Sequence, residues 1–442
     1  MQAPRDAHMF IKLIQLIFLF VCFQLNAFAE LKINTWETKE GAKVLFVENH
    51  DLPILDVNVN FFAGSAQDPI GKEGLANLTH HLMNLGAGGI NEEKLANQFS
   101  DIGAAIGGDV DLDRAYFKLR TLSSAPQRDK ALTLFKYVIH APDFPVPVID
   151  REKDRIIASI KQSMTQPETI ANLAFMKSIY GDHPYGRNEA GNIDTLQKLN
   201  QADLKQFYKN YYSSFESSIV IVGDVSADEA KKISESISQG LPQGNTKHNI
   251  ASVTAQNYVG VKKIQHPAKQ AHILMGMPAL KRGEKDYFPL YVGNYILGGG
   301  GFVSRLTEEV REKKGLVYSV YSYFMPLYVE GPLEIGLQTK KEQADEALSI
   351  VNSTIKKFID EGPNEKELIA AKQNLVGGFP LRLDSNAKIV DYLSMIAFYK
   401  LPISYIDNYV SEINKVTVNQ IKAAFKNKID PNKLTTIIVG AE

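Results

Sequence analysis

The chain repeats itself, and that constrains its fold more than any single motif. A strand-like alternation at Leu55-Asp56-Val57-Asn58-Val59-Asn60-Phe61 returns about 216 residues later as Ala271-His272-Ile273-Leu274-Met275-Gly276-Met277. Asp129-Lys130-Ala131-Leu132-Thr133 opens a helical pattern, and Asp345-Glu346-Ala347-Leu348-Ser349 opens another at the same offset. Ile219-Val220-Ile221-Val222-Gly223 is a buried-strand run closed by glycine, and Thr436-Ile437-Ile438-Val439-Gly440 repeats it. Three matches in one order mean two copies of one unit. Each copy reads as strands, then helices, then a closing strand. The expected class is therefore α+β, with two homologous α/β halves, each a mainly antiparallel sheet packed by helices. The breaker-rich run Gly240-Leu241-Pro242-Gln243-Gly244-Asn245-Thr246 marks the join. The expected organisation is a first domain over 30–240, a linker over 241–256 and a second domain over 257–442.

With 442 residues, 44% hydrophobic and 22% charged, the chain has material for more than one core. A formal net charge of -1 offers nothing to a polyanion, so nucleic acid is not an expected partner. Ile11 to Phe28 is almost continuously apolar, Lys12 precedes its core, and Ala27-Phe28-Ala29 has the small-x-small pattern of a cleavage site. Residues 1–29 read as a secretory signal peptide cut after Ala29, which leaves no membrane anchor. The competing reading is an uncleaved anchor, against which Gln15, Gln24 and Asn26 interrupt the apolar run. The single cysteine, Cys22, lies inside this segment, so the mature chain has neither a disulfide nor a thiolate metal site.

Between Gly74 and Gly86, Leu75, Leu78, Leu82 and Leu85 recur at helical steps. Asn77 and His81 then stand one turn apart on one face. An inverted zinc motif, H-x-x-E-H, needs His at both of those positions and Glu immediately before the second. Here Asn77 holds the first position and His80 the Glu position, so Asn77, His80 and His81 are a degenerate metal site. His80 and His81 are about 100° apart on a helix and do not converge on one ion. No third ligand lies near in sequence, whereas zinc needs three or four. No metal or cofactor is expected on this chain, and His81 is expected to be a partly buried, hydrogen-bonded side chain.

Other signals have plain structural readings. The sequon Asn77-Leu78-Thr79 sits mid-helix, where a glycan has no room. Gly298-Gly299-Gly300-Gly301 lacks the Lys-Ser/Thr of a phosphate loop. His183, before Pro184, reads as a turn residue with no carboxylate or Ser partner placed near it. No G-x-S-x-G elbow is present.

Several runs together resemble the pitrilysin-type (M16) zinc metallopeptidase family, in its shorter, mitochondrial-processing-peptidase-like branch. They are Gly74-Leu75-Ala76, Gly181-Asp182-His183-Pro184-Tyr185-Gly186, Val222-Gly223-Asp224-Val225, Leu297-Gly298-Gly299 and Ser304-Arg305-Leu306 followed by Glu309-Val310-Arg311-Glu312-Lys313-Lys314-Gly315-Leu316-Val317-Tyr318-Ser319. The resemblance implies two α/β halves enclosing a peptide chamber. It implies a third zinc ligand, a Glu, on a later helix, but Arg155-Ile156-Ile157-Ala158-Ser159-Ile160 has Ala158 and Ser159 at the corresponding positions. For the second half it implies an Arg and a Tyr that bind the substrate main chain, and Arg311 and Tyr318 have the family's spacing. Guanidinium and phenol can both donate to peptide carbonyls. On one helix, Arg311 would instead face solvent among Glu308, Glu309, Glu312, Lys313 and Lys314. The resemblance implies that the Gly-rich stretch is a flexible loop guarding the chamber, while a plain helix-ending loop explains it equally well. Some bacterial members of the family divide the labour between a zinc-bearing subunit and a zinc-less one that keeps the Arg and Tyr. This chain resembles the second kind. The implied partner is a homologous chain with intact H-x-x-E-H, the ligand is peptide, and the location is periplasmic or secreted. The alternatives are a non-enzymatic peptide-binding or scaffold protein, and an autonomous metallopeptidase with a rearranged site.

Overall fold

The two copies form two sheets of matching strand order. The computed structural model describes residues 31–244, 249–253 and 256–440, so the signal segment and parts of the 241–256 linker lie outside the described residues. The first half contributes β1 (Ile33–Glu37), β2 (Lys43–Glu48), β3 (Ile54–Phe61), the short pair β4 (Gly86–Ala87) and β5 (Ile90–Asn91), β6 (Ala105–Val110), β7 (Ala115–Leu122) and β8 (Ser218–Gly223). The second half contributes β9 (Gly260–Ile264), β10 (Gln270–Leu280), β11 (Val317–Phe324), β12 (Gly331–Lys340) and β13 (Thr435–Val439). The first sheet runs β1-β2-β8-β3-β7-β6 and the second runs β9-β13-β10-β12-β11. Without β1 the two orders coincide. The pairing directions also coincide. β2 with β8 and β9 with β13 are parallel, and the strands from β8 to β6 and from β13 to β11 pair antiparallel. The repeat seen in the sequence is thus a repeat of topology, as expected for a duplicated α+β unit.

The period-2 pattern assigns the faces. On β7, Ala115, Phe117 and Leu119 are buried in the first half's own core, under the helices Ala125–His140 and Leu75–Met83. Tyr116, Lys118 and Arg120 occupy the other face, which turns toward the second half. There Lys118 pairs with Asp391, and Arg120 grips Asp56 at 2.8 and 3.0 Å.

The halves exchange helices. Pro167–Tyr180, from the first half, packs on β10 and β13 of the second. Asn386–Phe398, from the second, packs on β3 and β8 of the first. Ala171, Phe175 and Ile179 share one core with Leu274, Ile437 and Val439. Gly276 makes this contact feasible, because a Cβ there would lie 3.0 Å from the Phe175 ring and 1.8 Å from the Leu333 carbonyl oxygen. A fully buried Phe, Leu, Ile or Val contributes about 1.5–3 kcal/mol, and domains are stable by only about 5–15 kcal/mol. The shared core is therefore large enough to decide whether the halves stay joined, and the described residues from Asn34 onward form one compact unit.

A second tie is polar. The tip between β6 and β7 carries Asp113, fully buried. Its carboxylate accepts from the Tyr185 hydroxyl, from the Tyr399 hydroxyl at 2.8 Å and from the Tyr328 backbone N–H at 2.8 Å. The last two belong to the second half. Among the described residues, no helix is long and apolar enough to cross a membrane.

Candidate functional site: a degenerate metal helix and an exposed arginine–aromatic cluster

The helix Leu75–Met83 buries Leu75, Leu78, Leu82 and Met83. Its start is fixed by Asp68, whose carboxylate accepts the N–H of Gly74 at 2.7 Å and of Ala76 at 2.8 Å. Those orphan N–H groups and the helix dipole favour an anion there. Burial still pushes the Asp68 carboxyl up to about 7.

The three degenerate positions point in three directions. The Asn77 side-chain amide donates to the Glu189 carbonyl at 2.8 Å. His80 packs inward, its ring centroid 4.2 Å from that of Phe117. Gly108 makes room for it, since a Cβ there would lie 2.9 Å from the imidazole. Burial pushes His80 down to about 3, with the neighbouring His81 adding to the effect, so its ring is neutral at physiological pH. His81 is half exposed and lies with Nε2 2.9 Å from Glu152 Oε2.

Glu152, on the helix Val146–Ser163, is the residue that sequence reasoning missed. It is almost fully buried, and it also accepts from Arg151 Nε at 2.7 Å and Arg155 Nη1 at 3.1 Å. Burial pushes its carboxyl up, but these bonds outweigh burial and hold it well below the usual carboxylate range. Its signal was available: it precedes Ala158 and Ser159, which are exposed, on the same helix. The spacing implied by the resemblance falls on Ala158 and Ser159, beyond Glu152 on the same helix.

These residues do not fit a zinc ion. The one carboxylate near His81 is already saturated by two guanidinium groups, the Asn77 amide is engaged as a donor, and His80 faces away. Zinc needs three or four convergent N, O or S ligands. Among the described residues, no group of three His, Cys, Asp or Glu is assembled to hold a metal.

Arg311 and Tyr318 come together elsewhere. Arg311 lies in the π-helical turn Thr307–Glu312, and Tyr318 lies on β11. π-Helical turns occur often at functional sites. The pairing of β11 with β12 shifts register between Val317 and Val320, and such a bulge re-aims the side chains within it. Tyr318 is 84% exposed. The Arg311 guanidinium carbon sits 5.2 Å from the Tyr318 ring centroid and 4.6 Å from that of Phe302. Phe302, also exposed, was not singled out in the sequence; it directly follows the glycine run. A single helix carrying both residues would have put Arg311 among solvated charges. Instead Glu308 and Glu309 bind Lys313 at 3.0 and 2.7 Å, and among the described residues Arg311 keeps only a long ionic contact to Glu312, at 3.6 Å. The glycine run belongs to the π-helical turn Tyr295–Gly299 and the 3-10 turn Gly301–Val303 that follow the helix Tyr287–Asn294.

His183 is structural, with Nε2 2.7 Å from the Ala251 carbonyl oxygen and Nδ1 accepting the Tyr185 N–H. Thr79 of the sequon is fully buried.

Known proteins place this architecture. Residues 43–192 match the family model "Insulinase (Peptidase family M16)", and residues 198–375 match "Peptidase M16 inactive domain". The crystal structure described as a peptidase M16 inactive domain from Pseudomonas fluorescens superposes with a TM-score of 0.90 at 36% identity, covering 93% of this chain and 98% of that one. The chain belongs to the M16 peptidase family, among members that lack an intact H-x-x-E-H. The "non-peptidase homolog YmxG" of Helicobacter pylori is 25% identical over 426 residues, 96% of this chain and 97% of that protein. The fold is also shared with the periplasmic protease PqqL of Escherichia coli, at a TM-score of 0.78 and 15% identity, over 94% of this chain and 46% of that one.

Proposed function

We propose that the chain is the zinc-less, substrate-gripping subunit of a heteromeric M16-type peptidase that degrades peptides in the cell envelope. The observation that carries this reading is the contrast between the two sites. Asn77, His80 and His81 are dispersed onto other partners, while Arg311 is held ready between Phe302 and Tyr318. In the assembled enzyme the metal and its general base belong to a homologous partner with intact H-x-x-E-H. This chain's share is positional. Arg311 donates to substrate main-chain carbonyls, Tyr318 offers a phenolic donor, and Phe302 fixes the guanidinium plane.

The cleaved signal segment expected at residues 1–29 supports an envelope location, as does the fold shared with a protein described as a periplasmic protease. The test is reconstitution. The purified chain is mixed with a zinc-bearing homologue and cleavage of a quenched peptide is followed. Arg311→Ala with Tyr318→Phe is expected to lower turnover at least tenfold, and unchanged turnover would remove the gripping role.

One observation favours a second reading, a non-enzymatic peptide-binding or scaffold protein. The Helicobacter pylori relative that spans nearly the whole chain is named a non-peptidase homolog. Co-purification of the chain with a zinc-bearing homologue argues against it.

A further inference from the structure

Near the arginine–aromatic cluster lies an open pocket of about 620 Å³. It falls within the ~300–1,000 Å³ range of small-ligand pockets. Its wall includes Ser319 and Gly301, the chain neighbours of Tyr318 and Phe302, so it adjoins the two segments that carry the cluster. Tyr291 and Tyr295 supply aromatic surface, while Tyr321 and Tyr323 turn their rings to the other face of β11, toward Glu334, and the sole charged side chain on the wall is Arg382.

Arg382 is a cation without an anion. Its Nη2 donates to the Tyr291 hydroxyl at 2.7 Å, and its guanidinium carbon lies 6.0 Å from the Tyr291 ring centroid and 5.8 Å from that of Tyr409. Among the described residues it forms no ion pair with a carboxylate. Of the other three guanidinium groups of this half, Arg305 binds Glu367 at 2.7 Å and Arg311 has Glu312 at 3.6 Å, whereas Arg282, over the Tyr399 ring, likewise forms no ion pair among the described residues. The bond to Tyr291 and the flanking rings hold the Arg382 fork, and among the described residues its Nε and Nη1 form no hydrogen bond. The nearby Asn294 side chain is already spent on Ser322, at 2.9 and 2.7 Å. The pocket thus presents one fixed guanidinium, neutral hydroxyls and aromatic walls.

We propose that this pocket binds the free C-terminal carboxylate of a peptide, with the last side chain against the tyrosines and Arg382 paired to the carboxylate. One guanidinium without a second cation suits a monoanion held through two parallel N–H···O bonds. The aromatic wall suits an apolar terminal side chain better than a small inorganic ion. The inference deepens the proposed function and rests on it. It names the substrate class as peptides with a free C-terminus, whose preceding residues reach Arg311 and Tyr318.

The test is fluorescence anisotropy on the purified full chain, with an N-terminally labelled peptide ending in Leu, as free acid and as C-terminal amide. The free acid is expected to bind at least tenfold more tightly. Arg382→Gln is expected to bring the ratio to about one, and Arg382→Lys to keep part of the preference. Arg311→Ala is expected to weaken both peptides alike and leave the ratio unchanged. Equal affinity of acid and amide for the unaltered chain overturns the proposal, and so does a ratio that Arg382→Gln does not change. Displacement of the peptide by inorganic phosphate as readily as by an unlabelled free-acid peptide also overturns it, since the pocket is then a general anion site. If acid and amide bind equally while Arg311→Ala with Tyr318→Phe still lowers partner-dependent cleavage, the carboxylate pocket fails and the gripping role stands.

Discussion

The Tyr399 hydroxyl donates to the Asp113 carboxylate at 2.8 Å, joining the two halves through a buried charge. Burial is the main cause that pushes the Asp113 carboxyl up to about 6, and the donors from Tyr185, Tyr399 and Tyr328 restrain it. A folded-state pKa above the unfolded value means that the folded chain binds the proton more tightly. This group's contribution to stability is therefore greatest below about pH 3.8 and is lost as pH rises toward about 6. Removing a donor worsens the ionised state. Tyr399→Phe is expected to cost about 1–3 kcal/mol, more at pH 7 than at pH 5. Urea midpoints at the two pH values measure it. An equal penalty at both would mean that the hydroxyl does not serve the carboxylate.

His80 carries the opposite sign. Burial pushes its imidazole down to about 3, so the folded chain resists its protonation. Stability from this residue is intact above the unfolded value of about 6.5 and falls as pH drops below it. By pH 5 the loss is about 2 kcal/mol, since each pH unit is about 1.36 kcal/mol. His80→Phe keeps a ring against Phe117 and has no proton to take up. Denaturation curves between pH 7 and pH 5 should show the unaltered chain losing ground to the variant by that amount. Parallel pH profiles would show that His80 is not the titrating group.

Phe175 is the centre of the exchanged core. Phe175→Ala is expected to destabilise by about 3–5 kcal/mol. Because this side chain sits on the second half's sheet, the loss is also expected to uncouple the halves. Calorimetry should then resolve two transitions where the unaltered chain gives one, and a single lowered transition would argue that other contacts maintain the coupling.

At the arginine–aromatic cluster the effects should appear in binding and not in stability. Tyr318 and Phe302 are exposed, so Tyr318→Ala and Phe302→Ala are expected to change stability by less than about 0.5 kcal/mol. Arg311→Lys keeps the charge but loses the planar stack between the two rings, so it is expected to weaken peptide binding nearly as much as Arg311→Ala. A Lys variant that binds as the unaltered chain does would reduce the role of Arg311 to charge alone.

Local pattern carried the duplication far into the sequence. The alternation at Leu55–Phe61 and its echo at Ala271–Met277 became β3 and β10, and the two Gly-ended runs became β8 and β13. The helix at Leu75–Met83 also followed from its leucine spacing, and its substituted zinc motif was evident from three residues. What did not follow were the contacts set by distant segments. Nothing local says that Phe175 packs on a sheet more than ninety residues further along the chain, or that Asp113 meets Tyr399. Arg311 and Tyr318 were found through their spacing, but their aromatic partner was not, because the π-helical turns that bring Phe302 alongside break the regular period.

The strand order has a consequence for how the molecule is made. In each sheet the strand contributed last lies between earlier ones: β8 between β2 and β3, and β13 between β9 and β10. During synthesis from the N-terminus, β10 lacks one of its two neighbours until Thr435–Val439 has been added. The first sheet can pair earlier, but one face waits for Asn386–Phe398 to cover it. The native arrangement is therefore closed by β13 and by the Asn386–Phe398 helix, its late-made elements. Any step that delays the arrival of Thr435–Val439 keeps the second sheet open for as long as it lasts.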